Sequence, residues 1–95
     1  MTDPIAEIAA ERRRQIEVED WTPEHDDEHT HGELAIAAAC YSVPLSGRAL
    51  QGFIRAYWPW NQSWWKPTTR RRNLIKAGAL IVAEIERLDR LEPKP

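Results

Sequence analysis

Arg70-Arg71-Arg72-Asn73-Leu74-Ile75-Lys76-Ala77-Gly78-Ala79-Leu80-Ile81-Val82-Ala83-Glu84-Ile85-Glu86-Arg87-Leu88-Asp89-Arg90-Leu91 carries the clearest helical period in the chain. Leu74, Gly78, Ile81, Ile85 and Leu88 recur at spacings of 4, 3, 4 and 3, which puts them on one face of an α-helix. The helix is expected over 68–92. Ala77, Leu80 and Glu84 flank the seam, Gly78 allows a close backbone approach, Arg87 and Arg90 suit the C-terminal end, and Pro93 stops the helix. The seam is expected to face a core. Two heptads are too few to demand a coiled coil, so a dimer seam is the alternative.

Working back from this helix, residues 43–67 contain Pro44, Gly47, Gly52, Pro59 and Pro67, which argue for a long connector with at most a short helix near Leu50 to Tyr57. Before it, Leu34-Ala35-Ile36-Ala37-Ala38-Ala39-Cys40-Tyr41 is an apolar run preceded by Thr30-His31-Gly32-Glu33, the spacing of a capping box, and predicts a central helix over 30–42. Thr22-Pro23-Glu24 suggests a capped helical turn or compact loop. In the first segment, 1–20, Asp3 can cap a helix that has Pro4 at its first position and Ile5, Ile8, Ala9 and Ile16 on one face. The expected fold is a single all-α domain of about three main helices with a Trp-rich connector.

Charge falls in blocks. Residues 1–33 hold eleven acids and three bases, residues 34–83 hold seven bases and no acid, and residues 84–95 hold four acids and three bases, giving a net −2. The acidic balance argues against duplex nucleic acid as a partner, because non-specific binding needs a basic footprint. Opposed blocks instead suit a small anion or self-association. At 95 residues the core is thin, which also favours an oligomer. The single Cys40 lies in an apolar run and reads as a buried thiol of a reducing cytoplasm. No apolar run approaches a membrane span and no leader is visible, so a soluble cytoplasmic protein is expected.

Chemistry concentrates in Trp58-Pro59-Trp60-Asn61-Gln62-Ser63-Trp64-Trp65-Lys66-Pro67-Thr68-Thr69-Arg70-Arg71-Arg72. Indole faces can stack on a base, and the adjacent cations can hold phosphate. Some of these tryptophans could belong to the core; four within eight residues cannot easily all do so. Cations at a helix N-terminus oppose the macrodipole unless an anion or acidic partner is present, so Arg70, Arg71 and Arg72 suggest a phosphate seat. His25-Asp26-Asp27-Glu28-His29 has two histidines four apart but lacks the rest of a zinc motif, and a solvated capping loop or ligand-contacting loop is preferred to a metal site. Glu7 and Glu11 on one helix, with Glu86 and Asp89 on another, could hold Mg²⁺ for nucleotide hydrolysis, although a solvated face explains them as well.

Glu11-Arg12-Arg13-Arg14-Gln15-Ile16, Trp21-Thr22-Pro23-Glu24-His25-Asp26-Asp27, Gly32-Glu33-Leu34-Ala35, Ala38-Ala39-Cys40-Tyr41, Trp58-Pro59-Trp60, Trp65-Lys66-Pro67, Ala77-Gly78-Ala79-Leu80-Ile81 and Glu84-Ile85-Glu86-Arg87-Leu88-Asp89-Arg90 resemble a family of short proteins encoded by tailed phages and prophages. The resemblance covers nearly the whole chain. It implies a phage accessory protein acting in the bacterial cytoplasm. Small phage proteins of this kind include inhibitors of host defence, some of them oligomers that sequester nucleotide immune signals; that analogy rests on size and genomic context rather than on fold.

These readings combine into one expectation: an oligomeric binding protein for a small nucleotide-like anion, without turnover and without a cofactor. Trp60, Trp64 or Trp65 would stack on a base, Lys66, Arg70, Arg71 and Arg72 would hold phosphates, and His25 and Asp26 would contact sugar or base edges. One alternative is an inhibitor that grips a host protein through the same Trp and Arg surface. A metal-dependent nucleotide hydrolase using the helix carboxylates is the other.

Overall fold

The computed structural model describes residues 3–91; residues 1–2 and 92–95, including the expected stop at Pro93, lie outside it. Among the described residues the chain is all-helical: α1 (Pro4–Glu17), α2 (Pro23–Asp26), α3 (Glu33–Ser42), α4 (Gly47–Tyr57), a 3-10 turn at Gln62–Trp64, and α5 (Arg70–Leu91). α5 is the axis of the fold. It packs against α3, α1 and α2, while α4 reaches the body by docking on α3.

Local signals set the starts of the early helices. Asp3 caps α1 by accepting the Ile5 N–H at 3.1 Å, with Pro4 next in the first turn. Thr22 Oγ1 accepts the His25 N–H at 3.2 Å and starts α2. The capping box expected at Thr30 does not form. Gly32 caps α3 in the left-handed region, with φ of 81° and no side-chain bond, and Glu33 instead accepts the N–H of His31 at 2.6 Å. The connector holds a full helix, α4, that begins at Gly47, three residues before the Leu50 start read from the sequence.

The core forms where α3 meets α5. Leu34, Ala37, Ala38, Cys40 and Tyr41 pack on Ala77, Leu80 and Ala83, and Ile54 and Trp58 close the cluster. The alanines let the two helices approach closely, so this interface is dense rather than bulky.

The seam of α5 is a correction. Leu74, Ile81, Ile85 and Leu88 are not core residues; they remain 43%, 48%, 52% and 46% exposed. The buried side of α5 is Ile75, Ala77, Ala79, Leu80, Ala83 and Arg87. A face of small residues scores low for hydrophobicity, yet it is the one that admits neighbouring helices. Gly78 itself does meet a neighbour, since a Cβ there would lie 2.7 Å from Cδ1 of Ile8 on α1.

α1 corrects a second expectation. Ile5 and Ala9 are exposed and Ile8 and Ile16 only partly covered, whereas Glu11, Arg12 and Gln15 are buried. The polar groups go inside because each charge meets its opposite there. Arg12 donates to Asp26 at 2.7 Å, to Glu86 at 3.0 Å and to the Trp21 carbonyl at 3.4 Å, tying α1 to α2, to α5 and to the loop between α1 and α2.

Candidate aromatic binding pocket

The segment from Trp58 to Trp65 is pinned from both ends. Trp58 is buried, its Nε1–H donates to the Asn61 carbonyl at 3.0 Å, and its ring meets Tyr41 and Trp60 almost perpendicularly, at 5.7 and 5.4 Å. At the other end the Lys66 N–H donates to the Tyr41 hydroxyl at 3.2 Å, and Arg70 donates to the Val43 carbonyl at 2.9 Å. The tryptophans therefore separate by role. Trp58 belongs to the core, Trp65 lies against Tyr41 at 4.6 Å, Trp60 is half-buried, and Trp64 is exposed.

Trp60 and Trp64 share a cavity of about 410 Å³ with Trp21, His25, His29, Asn61, Glu19 and Asp20. Each wall has a local cause. Asp20 adopts a left-handed backbone, with φ of 63°, that turns the chain out of α1, and the Trp21 N–H then donates to the Gln15 carbonyl at 2.9 Å. The Thr22 cap places His25 on α2. His29 follows one turn later, its ring 4.8 Å from His25 and 5.2 Å from Trp60, while Trp21 stands 6.0 Å from Trp60. Such spacings are those of packed aromatic pairs, so the walls support one another.

Several buried polar atoms of the wall residues lack a partner: His25 Nδ1, His29 Nε2 and Trp60 Nε1. Unpaired buried donors and acceptors are costly and rare in folded proteins.

Beyond Glu19, Trp21 and Trp64 the wall continues into a narrow cleft of about 30 Å³ that carries Arg14, Lys66 and Lys76 beside Glu11. Lys66 Nζ lies 5.3 Å from the Trp64 ring centre. Lys76 Nζ lies 5.5 Å from the Tyr41 ring centre and donates to the Lys66 carbonyl at 2.8 Å. Burial pulls the Lys76 pKa below its ordinary value.

The arginine run sits elsewhere. Arg71 pairs with Glu7 and Arg72 with Glu11, so the acidic partner that makes cations tolerable at a helix N-terminus comes from α1. Glu11 is gripped on its other side by Arg14, which reaches both carboxylate oxygens at 2.8 Å. Burial pushes Glu11 up, but the hydrogen bonds from Arg14 and the charges of Arg14 and Arg72 hold its pKa below the ordinary carboxylate value. Glu7 is likewise held low, first by its bond from Arg71. Asp26 is fully buried against Arg12 and lines no part of the cavity. Trp65 lines a separate groove with Leu50, Gln51, Ile54, Arg55 and Gln62.

Glu86 pairs with Arg12, and Asp89 stands exposed on α5. Among the described residues no cluster of three or more His, Cys, Asp or Glu side chains could hold a metal ion. Burial pushes the Cys40 thiol up to about 11, which leaves it a packing group.

Of the residues expected to bind a ligand, the cavity gathers His25, Trp60 and Trp64, and it adds His29 from the same segment as His25. Trp21, Glu19, Asp20 and Asn61 in the cavity, and Lys76 in the adjoining cleft, were not anticipated. Trp21 carried a usable signal, an indole immediately before a Thr-Pro helix start, which fixes its direction at the mouth of α2. No family model, curated protein or solved structure matches this chain.

Proposed function

We propose that the protein is a phage accessory protein that binds and sequesters a small nucleotide-like ligand, base first, in the cavity between Trp21, Trp60 and Trp64. The observation that carries this reading is a 410 Å³ space walled by three indoles and two imidazoles, three of whose ring nitrogens are buried without a partner. The size suits a nucleobase with its sugar, and flat π-faces are the sequence-tolerant way to hold one. The phosphate-holding role passes from the arginine run, which lines neither the cavity nor the adjoining cleft, to Lys66 and Lys76 beyond Trp64. Self-association goes with this reading without being required by it, since a chain this short has a thin core and opposed charge blocks, and the place of action it implies is the bacterial cytoplasm.

Titration calorimetry with a panel of nucleosides, nucleotides and cyclic dinucleotides tests it. Trp64→Ala, at an exposed wall position, should cost roughly 1 to 3 kcal/mol of binding, as loss of one stacking platform does. Lys66→Ala should weaken only phosphate-bearing ligands, and less at high salt. Absence of binding by the intact protein at high micromolar concentration overturns the proposal.

One observation favours a second reading. Glu19, paired with Arg14, and the exposed Asp20 line the aromatic cavity, and carboxylates beside indoles also suit an arginine or lysine side chain of a host protein. Binding of an arginine-bearing peptide by a protein that ignores every nucleotide would select it.

A further inference from the structure

The exposed stripe of α5 has no partner in the monomer, and its geometry is that of a helix made to meet its own copy. Leu74, Ile81, Ile85 and Leu88 are each about half exposed although α1 and α3 already cover the rest of the helix. They recur at spacings of 7, 4 and 3, as in a two-helix seam, over about 21 Å of helix, and the position between the first two, Gly78, is covered by Ile8 of α1. Ile5, one turn before the Ile8 that meets Gly78, adds a further exposed apolar side chain from α1.

Charge says which copy fits, and in which direction. The N-terminal end of α5 carries Arg70, Arg71 and Arg72 with no acid among them. At the C-terminal end is Asp89, exposed and, among the described residues, without an ion-pair partner. Arg71 and Asp89 are eighteen positions apart, about five whole turns, so they lie on the same flank of the stripe. In an antiparallel pair related by a two-fold axis, like flanks face each other and opposite ends meet. Arg71 of one copy then comes beside Asp89 of the other, twice. A parallel pair would set the two arginine ends side by side.

We infer that the protein forms an antiparallel two-fold dimer through α5, centred near Ile81, with Leu74 of each copy against Leu88 of the other. Antiparallel macrodipoles and the reciprocal Arg71 to Asp89 contacts favour this direction. Arg71 keeps its bond to Glu7, since 61% of its side chain is exposed and free to take a second carboxylate. A stripe one helix wide is smaller than the roughly 800 Å² per partner of a standard interface, so the dimer is expected to dissociate in the micromolar range. None of the cavity residues lies on the stripe, and the dimer stands or falls independently of the ligand proposed for that cavity.

Sedimentation velocity over a concentration series should show the 11.0 kDa chain moving toward twice that mass, while Ile81→Glu stays monomeric with an unchanged helical spectrum. Direction is read by oxidative cross-linking, with buried Cys40 as a quiet background. Ile81→Cys should link to itself. Leu74→Cys should link to Leu88→Cys in a mixture and not to itself. A chain that stays monomeric at several hundred micromolar, a dimer indifferent to Ile81→Glu, or self-linking of Leu74→Cys would each overturn the inference.

Discussion

α5 is held on two sides by opposite means. Toward α3 it presents Ala77, Leu80 and Ala83 to Leu34, Ala37 and Ala38, with hardly a polar atom between them. Toward α1 and α2 it presents Arg72, Glu86 and Arg90, which pair with Glu11, Arg12 and Asp27. The apolar side draws its strength from area and density, both tolerant of sliding. The ionic side is intolerant of sliding: Arg12 has one position from which it reaches Asp26, Glu86 and the Trp21 carbonyl together. Stability comes mainly from the α3 side and register from the α1 side. The register matters because the bonds to Asp26 and Trp21 fix the loop that carries half of the aromatic cavity.

The hardest way to break the comparison is to remove Arg12. Arg12→Met leaves Asp26, fully buried, without its cation, and breaking a buried pair from one side costs about 3 to 5 kcal/mol. The double variant Arg12→Met/Asp26→Leu should recover more than half of that loss, because an apolar pair of similar volume replaces ions whose desolvation was never fully offset. Urea denaturation of the four proteins of this cycle measures both quantities. Ligand binding should not recover in the double variant if register is the job of the pair. Full recovery of both would show that the ionic side is merely another glue.

On the apolar side, Leu34→Ala should cost about 2 to 4 kcal/mol, since a nearly inaccessible side chain is cut from a close-packed site. Its effect on the cavity should be smaller, because Leu34 reaches the walls only through the packing of Trp21 and Trp60 on the core and leaves the Arg12 bonds to Asp26 and Trp21 in place. Intrinsic fluorescence of the cavity tryptophans at low urea separates the cases. Arg12→Met should shift it before global unfolding and Leu34→Ala should not.

The sequence made some of this legible. Helix starts at Asp3-Pro4 and Thr22-Pro23 could be read because capping is a local event, decided within three residues. All-helical character followed from apolar spacing and from proline placement. The faces were misread for one physical reason: hydrophobic periodicity finds the bulky stripe, whereas burial in a three-helix contact goes to the face that is small enough. Leu74, Ile81, Ile85 and Leu88 are bulky and outside; Ala77, Ala79 and Ala83 are small and inside. The candidate site was half visible. Trp60, Trp64 and His25 advertise themselves by residue type, but Trp21 joins them only through the turn at Asp20, and the pairing of Arg71 with Glu7 spans 64 positions that no local rule connects.

Acid should loosen the ionic side before the apolar one. Glu7 and Glu11 have folded pKa values below their ordinary ones, so their contribution is complete above the ordinary carboxylate range, near about pH 4.3, and is lost as pH falls through the lower folded values. The melting temperature should therefore be flat from neutrality to about pH 5 and fall steeply below about pH 4. Glu11→Gln should lower the plateau and flatten the acid limb. An acid limb of the same steepness in that variant would assign the acid sensitivity to other carboxylates.

The smallest effect lies where α1 crosses α5, and there two opposing terms nearly cancel. Gly78→Ala gains about 1 kcal/mol of helix propensity in the middle of α5. The new Cβ would sit 2.7 Å from Ile8 Cδ1, the tip of a flexible side chain, and moving that tip off its rotamer costs about 0.5 to 1.5 kcal/mol. The net change should stay within about 0.5 kcal/mol in either direction. Ile8→Ala removes all three atoms near the new Cβ, at 2.7, 3.0 and 3.4 Å, so in that background Gly78→Ala should become stabilising by close to its full propensity gain. Urea denaturation of the wild-type chain, both single variants and the double variant, at a concentration where all are monomeric, isolates the coupling. A loss above about 1.5 kcal/mol for Gly78→Ala that persists in the Ile8→Ala background would mean that the two backbones, rather than the isoleucine side chain, set the closeness of the crossing.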